Sequence, residues 1–65
     1  MYQNKIRQYR KQQGMNLDEL AKKVGISVGY LCHLEIGSRA NPSIQIMEKI
    51  ADALGKNIAE IFFSE

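Results

Sequence analysis

The sequence lacks nearly everything that would staple or anchor so short a chain. Its 65 residues include one cysteine, Cys32, and one proline, Pro42. A single cysteine closes no internal disulfide, and with His33 as the only histidine there is no Cys/His cluster for zinc. No apolar run exceeds three residues, as in Ile61-Phe62-Phe63. A bilayer span needs roughly 20. Met1-Tyr2-Gln3-Asn4 leads straight into a charged helical pattern with no signal peptide before it, so the cytosol is the expected compartment. Hydrophobic residues at 45% and charged residues at 25% exclude a disordered or collagen-like chain. A domain this size buries only about 60% of the surface its unfolded form exposes. That leaves no room for a deep, well-supported substrate pocket, and no enzyme is expected. No cofactor, metal or small-molecule site is evident either. Without staples, stability must come from close helix packing or from a partner chain.

What charge there is lies unevenly. Residues 1–39 carry seven basic groups, Lys5, Arg7, Arg10, Lys11, Lys22, Lys23 and Arg39, against Asp18, Glu19 and Glu35, a net +4. Residues 40–65 carry Lys49 and Lys56 against Glu48, Asp52, Glu60 and Glu65, a net −2. Such asymmetry fits one surface turned toward an anionic partner, or ordinary solvated helix charge.

Punctuation divides the chain into five short segments with helical periods. The first runs from about Asn4 to Gln13, with Ile6 and Tyr9 inward, and Gly14 stops it. Asn16 and Glu19 form a capping box for a second helix, whose stripe is Leu17, Leu20, Ala21 and Val24. Gly25 ends it after two turns. Ser27 caps a third helix with Tyr30, Leu31 and Leu34 as its apolar face and Gly37 as its stop. The fourth begins near Ser43 with the stripe Ile44, Met47, Ile50 or Ala51, and Leu54, closed by Gly55. Asn57 and Glu60 cap a last short helix with Ile58, Ile61 and Phe62 as apolar positions. No window alternates with period two for long enough to make a strand. The expected fold is one all-α domain of five helices over residues 1–65.

The window from Leu17 to Gly37 meets the demands of a helix-turn-helix. Ala21 lets two helix axes approach, and Gly25 takes the positive φ of a sharp reversal. Ile26 plugs the turn, while Leu31 and Leu34 seat the third helix on the second. These residues sit at compatible spacings between two caps.

The segments Ile6-Arg7-Gln8-Tyr9-Arg10 and Leu20-Ala21-Lys22-Lys23-Val24-Gly25-Ile26-Ser27 resemble the first half of the Cro and phage-repressor type of helix-turn-helix domain, the XRE family. Leu34-Glu35, Asn41-Pro42-Ser43 and Ile50-Ala51-Asp52-Ala53-Leu54-Gly55 resemble its second half. The likeness covers roughly residues 4 to 63. It implies a lambda-repressor-like fold with the helix-turn-helix at about 17–36 and the third helix in the major groove of double-stranded DNA. The base-reading positions then fall on Ser27, Val28, Gly29, Cys32 and His33. Phosphate-contacting positions fall on Asn16 and Leu17, on Tyr30, and on Ser38, Arg39 and Asn41 in the following loop. Helix N-termini suit phosphate because their first N–H groups have no helical acceptor. The family commonly pairs a first-helix Arg with a Glu late in the recognition helix, and Arg10 and Glu35 match that ion pair.

Two departures stand out. Many members carry Gln where this chain has Leu17, so a buttress for a base-reading side chain is absent. The reading helix also holds no Arg, Lys, Gln or Asn between Ser27 and Gly37, so the bidentate readers of guanine and adenine are missing. Val28 can meet a thymine methyl, Ser27 and Cys32 are short and permissive, and His33 remains. Readout is therefore expected to be apolar and shape-based. Gly29 either admits close approach to the DNA or marks a tolerant first turn. His33 is a base or phosphate contact or a surface residue. Cys32 is read as a small space-filler, since nothing nearby marks it as reactive.

At the C-terminus, Ile58, Ile61, Phe62 and Phe63 exceed what one helical face can bury. Either Ile58, Ile61 and Phe62 close the core with Phe63 incidental, or the group forms the two-fold interface of a homodimer, suited to half-sites about 34 Å apart. The expected function is a sequence-specific transcriptional regulator, a repressor acting by promoter occupancy. The alternative is a protein-interaction module on the same scaffold, which the sparse reading helix favours and the basic first half disfavours.

Overall fold

Three of the helices start on a side-chain cap that the sequence supplies. The computed structural model describes residues 4–37 and 42–63. Helices α1 to α4 span Ile6–Gln12, Leu17–Val24, Val28–Ile36 and Ile44–Leu54. Asn16 opens α2 with both halves of a capping box: its Oδ1 accepts from the Glu19 N–H at 2.8 Å, and Glu19 Oε1 accepts from the Asn16 N–H at 2.8 Å. Ser27 and Ser43 cap α3 and α4, accepting from the Tyr30 and Ile46 N–H groups. A fifth element, α5, covers Ala59–Phe63 and is wound as a π-helix. It follows a second reciprocal box between Asn57 and Glu60, at 2.9 Å each way. No strand occurs among the described residues. The fold is all-α with five helices, as the periodicity requires.

Helix α2 lies at the centre and packs against both α3 and α4, while α1 packs on α4. Leu20, Leu31, Ile50 and Ile6 have no exposed surface, and Leu34, Leu54, Val24 and Met47 join them in one core. Each such side chain contributes about 1.5–3 kcal/mol relative to remaining in water. At the C-terminal end Ile61 and Phe62 close this core, Ile58 packs on it half-buried, and Phe63 points outward with 62% of its surface exposed.

Three expectations need correction. Ile44 is 57% exposed rather than part of the α4 stripe. Periodicity gives a residue its angle around a helix, but not whether another element covers that end, and Ile44 occupies the uncovered first turn. Ile46, on the opposite flank of the buried stripe, is half-buried against the core. Arg10 is buried at 7% exposure although the pattern of α1 places only Ile6 and Tyr9 inward; Tyr9 itself is half-buried and packs against the core. Finally, α1 begins at Ile6 rather than Asn4. No described helix is long and apolar enough to cross a membrane.

Candidate nucleic-acid interface

The joint between α2 and α3 is a three-residue turn, Gly25-Ile26-Ser27. Gly25 adopts φ +88°, in a region a side chain with Cβ rarely enters. The Ala21 carbonyl accepts from both the Gly25 N–H at 2.8 Å and the Ile26 N–H at 3.1 Å, satisfying the end of α2 within the turn. Ile26 then packs half-buried against the core. Ser27 starts α3 in a new direction with an extended backbone and its hydroxyl on Tyr30. Ala21 is 1% exposed, so a larger residue there would force neighbouring helices apart.

This joint turns one face of α3 outward. Leu31 and Leu34 point into the core, while Ser27, Val28, Gly29, Cys32, His33 and Ile36 are exposed. All five positions inferred as base readers are therefore solvent-exposed, four on the outward side of α3 and Ser27 at its N-cap. Val28, Cys32 and Ile36 follow at i, i+4 and i+8, a row of apolar side chains along it. An added Cβ at Gly29 would meet nothing within 4 Å, so the protein itself leaves this position open. Tyr30 is half-buried.

At the start of α2, Asn16 is exposed but its side chain is committed to the capping box, and Leu17 is half-buried. The N–H groups of Leu17 and Asp18 have no acceptor within the helix. Asp18 and Glu19 in the same turn oppose an anion. No acidic residue occupies the first turn of α3, which makes its N-terminus the better anion site of the two. Ser38, Arg39 and Asn41 lie outside the described residues.

The anticipated ion pair is present and carries more than its two charges. Arg10 Nε donates to Glu35 Oε2 at 2.6 Å and Nη2 donates to Oε1 at 3.0 Å, a bidentate fork. The third nitrogen, Nη1, donates to the Met15 carbonyl at 2.9 Å. The two side chains are 9% and 5% exposed. Hydrogen bonding to Glu35 raises the Arg10 pKa, burial opposes this, and the charge of Glu35 adds to the rise. One guanidinium thus ties α1, the α1–α2 turn and the last turn of α3 together.

A second tie was not legible in the sequence. Asn4 Nδ2 donates to the Leu34 carbonyl at 2.7 Å, while its Oδ1 accepts from the Ile6 N–H at 3.0 Å. The next residue, Lys5, donates its N–H to the Ile61 carbonyl at 2.8 Å. An Asn two residues before a helix hints at the local bond, but nothing local hints at a partner 30 positions away. Gln13 is a similar case, with Nε2 donating to the Leu54 carbonyl at 2.6 Å at the end of α4.

A family profile described as helix-turn-helix matches residues 6–61. The chain belongs to the helix-turn-helix family. Among its relatives is the HTH-type transcriptional regulator SinR of Bacillus subtilis, strain 168. The two are 41% identical over 58 residues, 89% of this chain and 52% of SinR. The helix-turn-helix chain thus spans about half the length of this curated relative. Two solved structures share its fold at 42% identity. One is SinR, master regulator for biofilm formation, in complex with DNA, with TM-score 0.77 over 83% of this chain and 86% of that one. The other is a complex of the SinR and SinI proteins, with TM-score 0.79 over 85% of this chain and 53% of that one.

Proposed function

We propose that this helix-turn-helix chain binds double-stranded DNA by laying the outward face of α3 in the major groove, and that it regulates transcription, as a repressor, by occupying promoter DNA. The observation that carries this reading is the segregation of α3. Leu31 and Leu34 are 0% and 1% exposed, while Val28, Gly29, Cys32 and His33 face solvent from α3 and Ser27 from its N-cap. The resemblance to SinR solved with DNA supports it. Val28 and the small residues beside it recognise thymine methyls and groove shape, since no bidentate reader is present. The N–H groups at the starts of α2 and α3 take phosphates, together with Asn16, Leu17, Tyr30, Ser38, Arg39 and Asn41. Arg7, Lys11, Lys22 and Lys23, all exposed, supply the surrounding positive field. The protein acts in the cytoplasm, as a binding protein and not as an enzyme.

The active form is a homodimer whose interface includes Phe63. Ile61 and Phe62 are committed to the core and Ile58 is half-buried, so Phe63 is the one large side chain of that group free to meet a second copy. Selection of bound sequences from random DNA, with sedimentation of the protein alone, tests both parts. A two-fold symmetric consensus and a dimer are expected. Absence of any enriched sequence would overturn the DNA reading.

A protein-docking role is the second reading, favoured by the apolar row on α3 and by the solved SinR–SinI complex of a relative. Salt separates the two. Affinity for DNA falls with a log–log slope of about −0.9 for each phosphate neutralised, whereas an apolar protein contact keeps its affinity as salt rises.

A further inference from the structure

We infer that Asn4 is a positioning residue for the reading helix: its side chain clasps the last turn of α3 to the start of α1 and so fixes the angle at which α3 meets DNA. This inference rests on the DNA-binding reading of α3. The last four carbonyls of a helix have no helical donor, and one left without a partner allows the end to fray. In α3 the Leu34 carbonyl is one of these. It accepts from Gly37 at 3.3 Å within its own chain turn and from Asn4 Nδ2 at 2.7 Å. The shorter bond therefore comes from the element outside the helix.

The same amide group is fixed at its other end. Asn4 Oδ1 accepts from the Ile6 N–H, which orients Nδ2 toward Leu34, and the Lys5 N–H is held by Ile61 at 2.8 Å. Ile6 and Ile61 have no exposed surface. Asn4 is thus anchored directly by the backbone of Ile6 and, through its neighbour Lys5, by that of Ile61, and passes that constraint to α3. The Arg10–Glu35 fork grips the adjacent residue of the same turn from another point on α1. Two grips at successive residues oppose rotation of α3 about its seat on Leu31, which one grip alone would permit. A methyl contact such as one made by Val28 forfeits a quarter to a half of its dispersion energy over a gap of about 0.5–1 Å, so its readout depends on how α3 is seated.

Serine separates the two bonds without adding charge. Asn4→Ser keeps an oxygen for the Ile6 N–H but is too short to reach the Leu34 carbonyl, and Asn4→Ala removes both. The measurements are amide hydrogen exchange of the DNA-free protein, and affinity for a selected site against random-sequence DNA. In Asn4→Ser, exchange at Ile36 and Gly37 should quicken roughly three- to tenfold, the scale of one lost hydrogen bond. The ratio of selected-site to random-DNA affinity should fall by a similar factor, while exchange in α2 and α4 stays unchanged. An unchanged ratio would overturn the inference. So would a fall in both affinities that merely follows exchange rising throughout the protein, since Asn4 would then stabilise the fold without aiming α3. If the unmodified protein discriminates no DNA sequence, the DNA reading itself fails, and exchange at Ile36 and Gly37 still reports on the clasp.

Discussion

Helices α2 and α3 are joined by three residues and begin on similar caps, yet they are dressed in opposite ways. In α2 the apolar residues gather on one side, Leu20, Ala21 and Val24 inward, and Asp18, Glu19, Lys22 and Lys23 cover the rest. In α3 apolar side chains appear on both sides. Leu31 and Leu34 are buried, and Val28 and Ile36 are 39% and 58% exposed. A helix with a charged outer face is content in water. One with apolar residues outside as well is held by its neighbours and has a surface to spend on a partner. The difference separates the supporting helix from the helix proposed to read DNA more clearly than any single residue does.

The largest effect expected from breaking this division lies in the grip on α3. Arg10→Ala leaves the Glu35 carboxylate buried without a partner and should cost about 3–5 kcal/mol, read as a fall in the urea midpoint. Replacing both with apolar residues of similar volume should recover much of that loss. Because the Arg10 pKa is raised on folding, its contribution is complete below the unfolded pKa and is lost only as pH rises through the folded one. Arg10 therefore adds no pH dependence to stability across the neutral range.

The caps sharpen the comparison further. Asn16→Ala and Ser27→Ala should each lower stability by about 1 kcal/mol. Only Ser27→Ala should also reduce discrimination between a selected site and random DNA, because only α3 is proposed to read bases. Equal discrimination in the two variants would erase the division of labour.

Gly29→Ala reverses the usual sign. Space for a Cβ is available, and the helix should gain up to about 0.5–1 kcal/mol. Binding to the selected site should nonetheless weaken, since the added methyl stands between helix and DNA. Unchanged affinity would show that Gly29 is merely a tolerant first-turn residue. Phe63→Ser should change monomer stability least, within about 0.5 kcal/mol, while shifting sedimentation from dimer toward monomer.

Much of this was legible in the sequence because it is written locally. Caps, stop glycines and 3.6-residue stripes lie within one turn of their partners, so α2, α3 and α4 could be bounded from Asn16, Ser27 and Ser43. The Gly25 turn was legible for the same reason. What the sequence hides is the partner far along the chain. Arg10 and Glu35 could be paired only through the family resemblance. Asn4 and Gln13, each donating to a distant helix-end carbonyl, carry no periodic or spacing signature. The exposure of Ile44 also depends on which element covers a helix end. Of the inferred interface, the pattern of Tyr30, Leu31 and Leu34 marks the inward face of α3, while the reading positions came only through the family resemblance.

The central claim is that this outward apolar face reads DNA from the major groove. Thymine presents its C5 methyl only there. The most direct test replaces each thymine of a selected site by uracil, one position at a time, and measures affinity of the unmodified protein and of Val28→Ala. At one or two positions the loss of the methyl should weaken binding by the unmodified protein several-fold, and Val28→Ala should be indifferent to the same change. Affinity insensitive to every thymine methyl would contradict the claim.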